Sequence, residues 1–193
     1  MVVLIASTTM PILKAEADLF PEGLFDLPAE THAWWVAHVR PRAEKQVARE
    51  ARWLDVPFYL PLREQTVLRR ERKQTSFLPL FPGYLFFRGG LEHRLDILRT
   101  NLCVRVIPVL DQGAIHEDLL QVRHLQDSGL PLIPYPDIAP GDPILVVDGP
   151  FKGYRGTVVK TKGRMRLIAS VRFIGRSISV ELDREATVPE RKG

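Results

Sequence analysis

Histidine, cysteine and the glycine-rich turns are where chemistry would be built in this chain, and none of them is spaced for it. His32, His38, His93, His116 and His124 have no metal-ligand spacing, and Cys103 has no second thiol with which to share a metal. Gly149, Gly153 and Gly156 miss the glycine-to-lysine spacing of a phosphate-binding loop. No glycine-flanked serine resembles a nucleophile elbow. The chain is expected to be no enzyme, with no cofactor and no metal. Two other sets of residues are suited to binding. One is the run from Leu80 to Arg88, an aromatic strand in which Pro82-Gly83 cannot sit inside a ladder. The resulting kink separates Phe81 from Tyr84 and should leave both rings near the strand's end, within a partner's reach. The other is the stretch from Arg63 to Lys73, with five basic residues against two acidic ones and no helical apolar stripe. It reads as a β-hairpin whose tip projects from the sheet, with Arg69, Arg70, Arg72 and Lys73 clustered near its far side as candidates for phosphate contact.

The elements that must hold these residues can be read from periodicity. Ala33 to Val39 has strand composition. Ala43, Val47, Ala51 and Leu54 mark one face of a following helix, with Arg42, Lys45, Arg49 and Arg52 off that stripe and solvated. Phe58-Tyr59-Leu60 starts a second strand. Leu91, Leu95 and Leu98 give a short helix after Gly89-Gly90. Leu102 to Leu110 is a strand in which Pro108 marks an edge position or an ending, and Ile115, Leu119, Val122 and Leu125 mark a third helix. Such alternation predicts one sheet covered by helices over residues 33–126. Residues 127–140 form a proline-rich linker expected to act as a partly stiff tether. From 141 to 189 the pattern is β alone, with short strands and glycine turns that suggest a small barrel. Ile178, Val180 and Leu182 alternate strictly there. The fold class is therefore α+β: an antiparallel sheet with helices, then a small all-β barrel.

Charge and length narrow the partners. The net charge is +4, yet residues 1–30 hold Lys14 against five carboxylates, so the remaining chain carries +8. A basic body suits a polyanion. Residues 1–32, acidic and interrupted by Pro21 and Pro28, read as a mobile extension. No apolar run approaches the ~20 residues that span a bilayer, and residues 1–10 lack the basic flank of a signal peptide. With a lone cysteine, a cytoplasmic monomer is expected.

With both regions laid out, the chain resembles the NusG family of bacterial transcription elongation factors. Gly149-Pro150-Phe151-Lys152-Gly153-Tyr154-Arg155-Gly156-Thr157-Val158 resembles the KOW motif, and Phe173-Ile174-Gly175-Arg176 and Val180-Glu181-Leu182 resemble the family's closing strands. Trp34-Trp35-Val36 and Phe81-Pro82-Gly83-Tyr84 resemble its amino-terminal (NGN) domain. Arg40-Pro41-Arg42-Ala43-Glu44-Lys45 and Phe58-Tyr59-Leu60-Pro61-Leu62 look closer to the specialised RfaH-like and polysaccharide-operon antiterminators than to housekeeping members. The resemblance implies a bridging protein. Trp34, Phe81 and Tyr84 would line a pocket for the RNA polymerase clamp helices, and the hairpin would reach the non-template DNA strand. Phe151, Tyr154, Phe173, Ile174 and Arg176 would form a surface recruiting the ribosomal protein also called NusE, or Rho. Two alternatives stand beside it: a housekeeping member that also assists Rho-dependent termination, and a KOW-type RNA- or ribosome-binding protein. RfaH-like members can hold the second domain as a helical hairpin. Here Val158, Val159, Val171, Ile178 and Val180, with five glycines, predict strands instead.

Overall fold

The computed structural model describes residues 17–69, 72–135, 142–146, 152, 154–161, 164–182 and 187–189. Its first sheet is built on the strand Ala33–Val39 (β2), which is apolar on both faces. Trp34 and Val36 join one core cluster, and Ala37 and Val39 join another on the opposite face. A strand buried on both sides belongs in the interior of a sheet, and β2 lies between two partners. In spatial order the five strands are Leu19–Phe20 (β1), Phe58–Tyr59 (β3), Tyr84–Gly89 (β6), β2 and Cys103–Pro108 (β7), all antiparallel. Pro108 lies on an edge strand and is also that strand's last residue.

One face of this sheet is covered by two helices. Glu44–Trp53 (α1) buries Val47, Ala48 and Ala51; Leu54, assigned to the same stripe, lies past the last turn and is exposed. Leu91–Arg99 (α2) forms where expected but with a different inward face. Ile97 is fully buried, whereas Leu91 and Leu95 face outward. Leu98 is half-buried against the same core, and Arg94 lies over the Trp35 ring at 5.9 Å. Across the other face runs Gln112–Asp127 (α3). Asp111 caps it by accepting the Ala114 N–H at 2.9 Å, and Ile115, Leu119, Val122 and Leu125 are all buried, as their spacing requires. The expected hairpin is present as Leu62–Arg69 (β4) and Arg72–Pro79 (β5), a two-stranded sheet separate from the five-stranded one.

Residues 17–32 correct the expectation of a mobile extension. β1 adds to the sheet edge beside β3, and Leu24, in a 3-10 turn at Leu24–Asp26, is fully buried. The prolines interrupt regular structure without preventing Leu19, Leu24 and Phe25 from packing. Residues 1–16 lie outside the described residues. The linker is corrected in the same way. α3 runs into it as far as Asp127, and Ile133–Tyr135 (β8) pairs antiparallel with Arg176–Leu182 (β12).

The second region is all-β, with strands at Asp142–Val146 (β9), Arg155–Thr161 (β10), Arg164–Val171 (β11) and Thr187–Pro189 (β13) beside β8 and β12. The order β13-β9-β10-β11-β12-β8 is an open antiparallel sheet. Among the described residues no ladder closes it into the expected barrel. Its apolar face, with Val158, Leu167, Ala169, Val171, Ile178 and Val180, instead shares a continuous core with α3, which packs against β11. A helix covers the apolar surface that closure would otherwise hide. Strands at Arg155–Thr161, Arg164–Val171 and Arg176–Leu182 agree with the β rather than the helical form.

Candidate functional site

β2 and β6 bring the candidate polymerase-binding residues to one face. Trp34, Phe81 and Tyr84 all belong to or pack against the cluster shared with α3. The kink lies where the sequence places it, with Pro82-Gly83 in a turn ahead of β6. Gly83 has φ 86°, in the left-handed region that favours glycine. Its N–H donates to the carboxylate Oε1 of Glu44, a buried residue in the first turn of α1, at 2.7 Å. Sequence reasoning gave Glu44 no such role. The expected accessibility holds for Tyr84, half-buried and stacked on His38 at 5.4 Å, but not for Phe81, which is 3% exposed and packed edge-on against Phe86 at 6.1 Å.

Trp34 is 2% exposed. Gln112, the first residue of α3, holds its backbone in both directions: the Trp34 N–H donates to Gln112 Oε1 at 2.6 Å, and Gln112 Nε2 donates to the Trp34 carbonyl at 3.1 Å. The indole Nε1 donates to His116 Nδ1 at 3.4 Å, and the Arg88 guanidinium lies 5.1 Å from the indole ring. Burial lowers the pKa of Arg88. Burial, with Arg88 nearby, also lowers that of His116 and favours the neutral ring that accepts this bond. At the other end of α3, Tyr59 Oη donates to Gln126 Oε1 at 2.8 Å, and burial raises the phenol's pKa well above its usual value.

The hairpin register sorts its cations by face. Arg72, in register with Arg69, and Lys73, in register with Leu68, are adjacent on β5 and so point to opposite faces. Arg72 and Lys73 are exposed; Arg70 and the Arg69 side chain lie outside the described residues. At the hairpin's base a cleft of about 690 Å3 is lined by apolar residues such as Pro41, Leu78 and Val104 together with Arg42, Glu44 and Lys45.

The candidate recruiting surface is divided. Phe173 and Arg176 are exposed and Ile174 is half-buried, next to Gly175 in the left-handed conformation. Tyr154 is buried, its Oη donating to Gln121 Oε1 on α3 at 3.3 Å, and burial raises its pKa. Phe151 lies outside the described residues. The strongest polar contact at this junction was not anticipated. Asp118 of α3, buried, accepts the Arg172 backbone N–H at 2.9 Å and its Nε at 3.0 Å, and Nη2 lies 2.9 Å from Oδ1. That hydrogen bonding, with the carboxylate's charge, raises the Arg172 pKa. No local signal links two residues 54 positions apart. Among the described residues no cluster of His, Cys, Asp or Glu could hold a metal, and no helix is long and apolar enough to cross a membrane.

Comparison with known proteins falls on the same residues. The family model described as "Transcription termination factor nusG" matches residues 32–121, which run from β2 into α3. The "Transcription termination/antitermination protein NusG" of Pseudomonas aeruginosa is 28% identical over 170 residues, covering 78% of this chain and 94% of that protein. Its namesake in Xylella fastidiosa is 27% identical over 182 residues, covering 78% of this chain and 95% of that one. The solved structure "Domain interaction in Thermotoga maritima NusG" aligns over 85% of this chain and all of its own, with a TM-score of 0.47 and 15% identity. The family match spans the strand bearing Trp34, the hairpin, the Pro82-Gly83 kink and most of α3, and the two bacterial relatives extend the likeness along most of the chain, which is thus similar to the NusG family.

Proposed function

We propose that this chain is a transcription elongation and antitermination factor that binds RNA polymerase. Its relatives carry termination/antitermination names, and the reading follows theirs. The observation that carries it is the union, within one family-matched domain, of an aromatic sheet face and a projecting basic hairpin. Trp34, Phe81 and Tyr84 form the face that docks the polymerase clamp helices, with Tyr84 the part already within reach. Arg69, Arg70, Arg72 and Lys73 carry the hairpin along the phosphates of the non-template strand, by charge rather than by base reading. Phe173, Ile174 and Arg176, with Phe151 and Tyr154, recruit a further factor, such as the NusE ribosomal protein or Rho. Tyr154 becomes available to such a factor only when the second sheet leaves α3. The Arg40–Lys45 and Phe58–Leu62 stretches favour a specialised antiterminator over a housekeeping member.

A pulldown from lysate tests the assignment. Retention of polymerase after nuclease treatment is the expected result. Loss of all partners on nuclease treatment would move the chain to the RNA-binding class.

A further inference from the structure

The family match begins at residue 32, and the two bacterial relatives are covered over 94% and 95% of their own length but over only 78% of this chain. Residues 17–31 therefore precede the matched region, yet they are built into its core. Phe25 lies over three rings of the matched domain: 5.7 Å from Trp34, 5.5 Å edge-on from Tyr59 and 5.8 Å edge-on from His116. It is only half-buried, so it forms the outer layer above a Trp34 that is almost wholly covered. Beneath it, the buried Arg88 donates Nη1 to the Leu24 carbonyl at 2.9 Å and Nε to the His32 carbonyl at 2.8 Å. A buried cation satisfied by main-chain carbonyls needs replacement acceptors if that segment leaves.

We propose that Trp34, Tyr59, Arg88 and His116 form a peptide-binding seat, and that residues 19–27 fill it in cis as a plug which must be displaced for a partner to enter. The chemistry defines the occupant: an aromatic or large aliphatic side chain in the Phe25 position, followed by a free carbonyl or carboxylate for Arg88. On the polymerase-binding reading above, on which this step rests, the occupant is a helical segment of polymerase that presents an apolar side chain beside an acid. The added segment then sets how readily this chain engages polymerase.

The test uses the full chain with Phe25→Ala, which keeps Leu24 in its socket, and Phe25→Leu as an intermediate that retains apolar volume. A fluorescent peptide of residues 17–30 is titrated against each, and polymerase affinity is measured in parallel. Phe25→Ala should capture the peptide at least about tenfold more tightly than the parent chain (~1.4 kcal/mol) and gain polymerase affinity in the same direction, with Phe25→Leu between. Unchanged peptide capture by a folded Phe25→Ala chain overturns the plug, whatever polymerase does. Tighter peptide capture with unchanged polymerase affinity overturns polymerase as the occupant. The polymerase reading itself falls with it only if Tyr84→Ala is also without effect on polymerase binding.

Discussion

Replacing Asp118 with Asn keeps the shape of α3 and removes the charge that Arg172 contacts. The wild-type carboxylate, with a side chain 7% exposed, receives the Arg172 main-chain N–H and the guanidinium together. Asparagine keeps a single acceptor and turns an NH2 toward one of these donors. Hydrogen bonds to a charged group contribute about 1.5–3 kcal/mol, but Arg172 is 59% exposed, so solvent screens its half of the pair. A net loss of about 1–2 kcal/mol follows, or roughly a five- to thirtyfold fall in the docking equilibrium of the second sheet on α3. Amide hydrogen exchange on the full chain reads this directly. Val171 and the Arg172 amide should exchange faster in Asp118→Asn, and so should the α3 amides around Asp118 and Gln121, while β2 and β6 keep their protection. High salt should produce part of the same change in the parent chain, because the exposed partner is screened. If exchange at Arg172 is unchanged in Asp118→Asn, the ion pair does not hold the junction, and apolar packing between α3 and β11 alone accounts for it.

Two further predictions concern charge. Replacing Arg69, Arg70, Arg72 and Lys73 with Gln should flatten the salt dependence of single-stranded DNA binding. Neutralising three or four phosphates gives a log–log slope of roughly −2 to −3, and an unchanged slope returns the hairpin to a solvated arm. The other concerns pH. His116 has a pKa below its usual 6.5 because it is partly desolvated and lies near Arg88, with Glu117 and Asp26 opposing. Below about pH 6.5 the unfolded chain takes up a proton that the folded chain refuses, so stability should fall as pH drops from about 7 toward the folded pKa and then level off. The decline in Tm between pH 7.5 and 5.5 should be shallower in His116→Gln, which can still accept from the Trp34 indole; an identical decline would remove His116 from the account.

How far the sequence could be read depended on whether the determining contact was local. The α3 stripe was legible because each of its four positions faces the same core, and so was the kink, because Pro82-Gly83 constrains its own backbone. In α2 the leucines at 91, 95 and 98 had helical spacing, but of the three only Leu98 packs against the core, beside the fully buried Ile97. Ser177 and Ser179 alternate with Ile178 and Val180 as a solvent face would, yet both serines are buried. Ser177 lies within 2.8 Å of Ser170 through their hydroxyls, and the Ser179 hydroxyl donates to the β8 carbonyl of Ile133 at 3.4 Å. The least legible parts were those made by distant segments meeting: Phe25 on Trp34, Gln112 on the Trp34 backbone, and Asp118 on Arg172. Two prolines made residues 17–32 read as an extension, although Leu24 is wholly buried.

The central claim is that the face around Tyr84 meets polymerase. A photocrosslinking residue placed at position 84 of the full chain, in a stalled elongation complex, tests it most directly. Tyr84 is half-buried and stacked on His38, which lines the cleft at the hairpin's base. The account predicts a crosslink to the polymerase clamp that is lost when unlabelled parent chain is added in excess. A complex that retains the protein yet yields no crosslink from position 84, while one from position 173 reaches polymerase, would contradict it and place the contact on the second sheet.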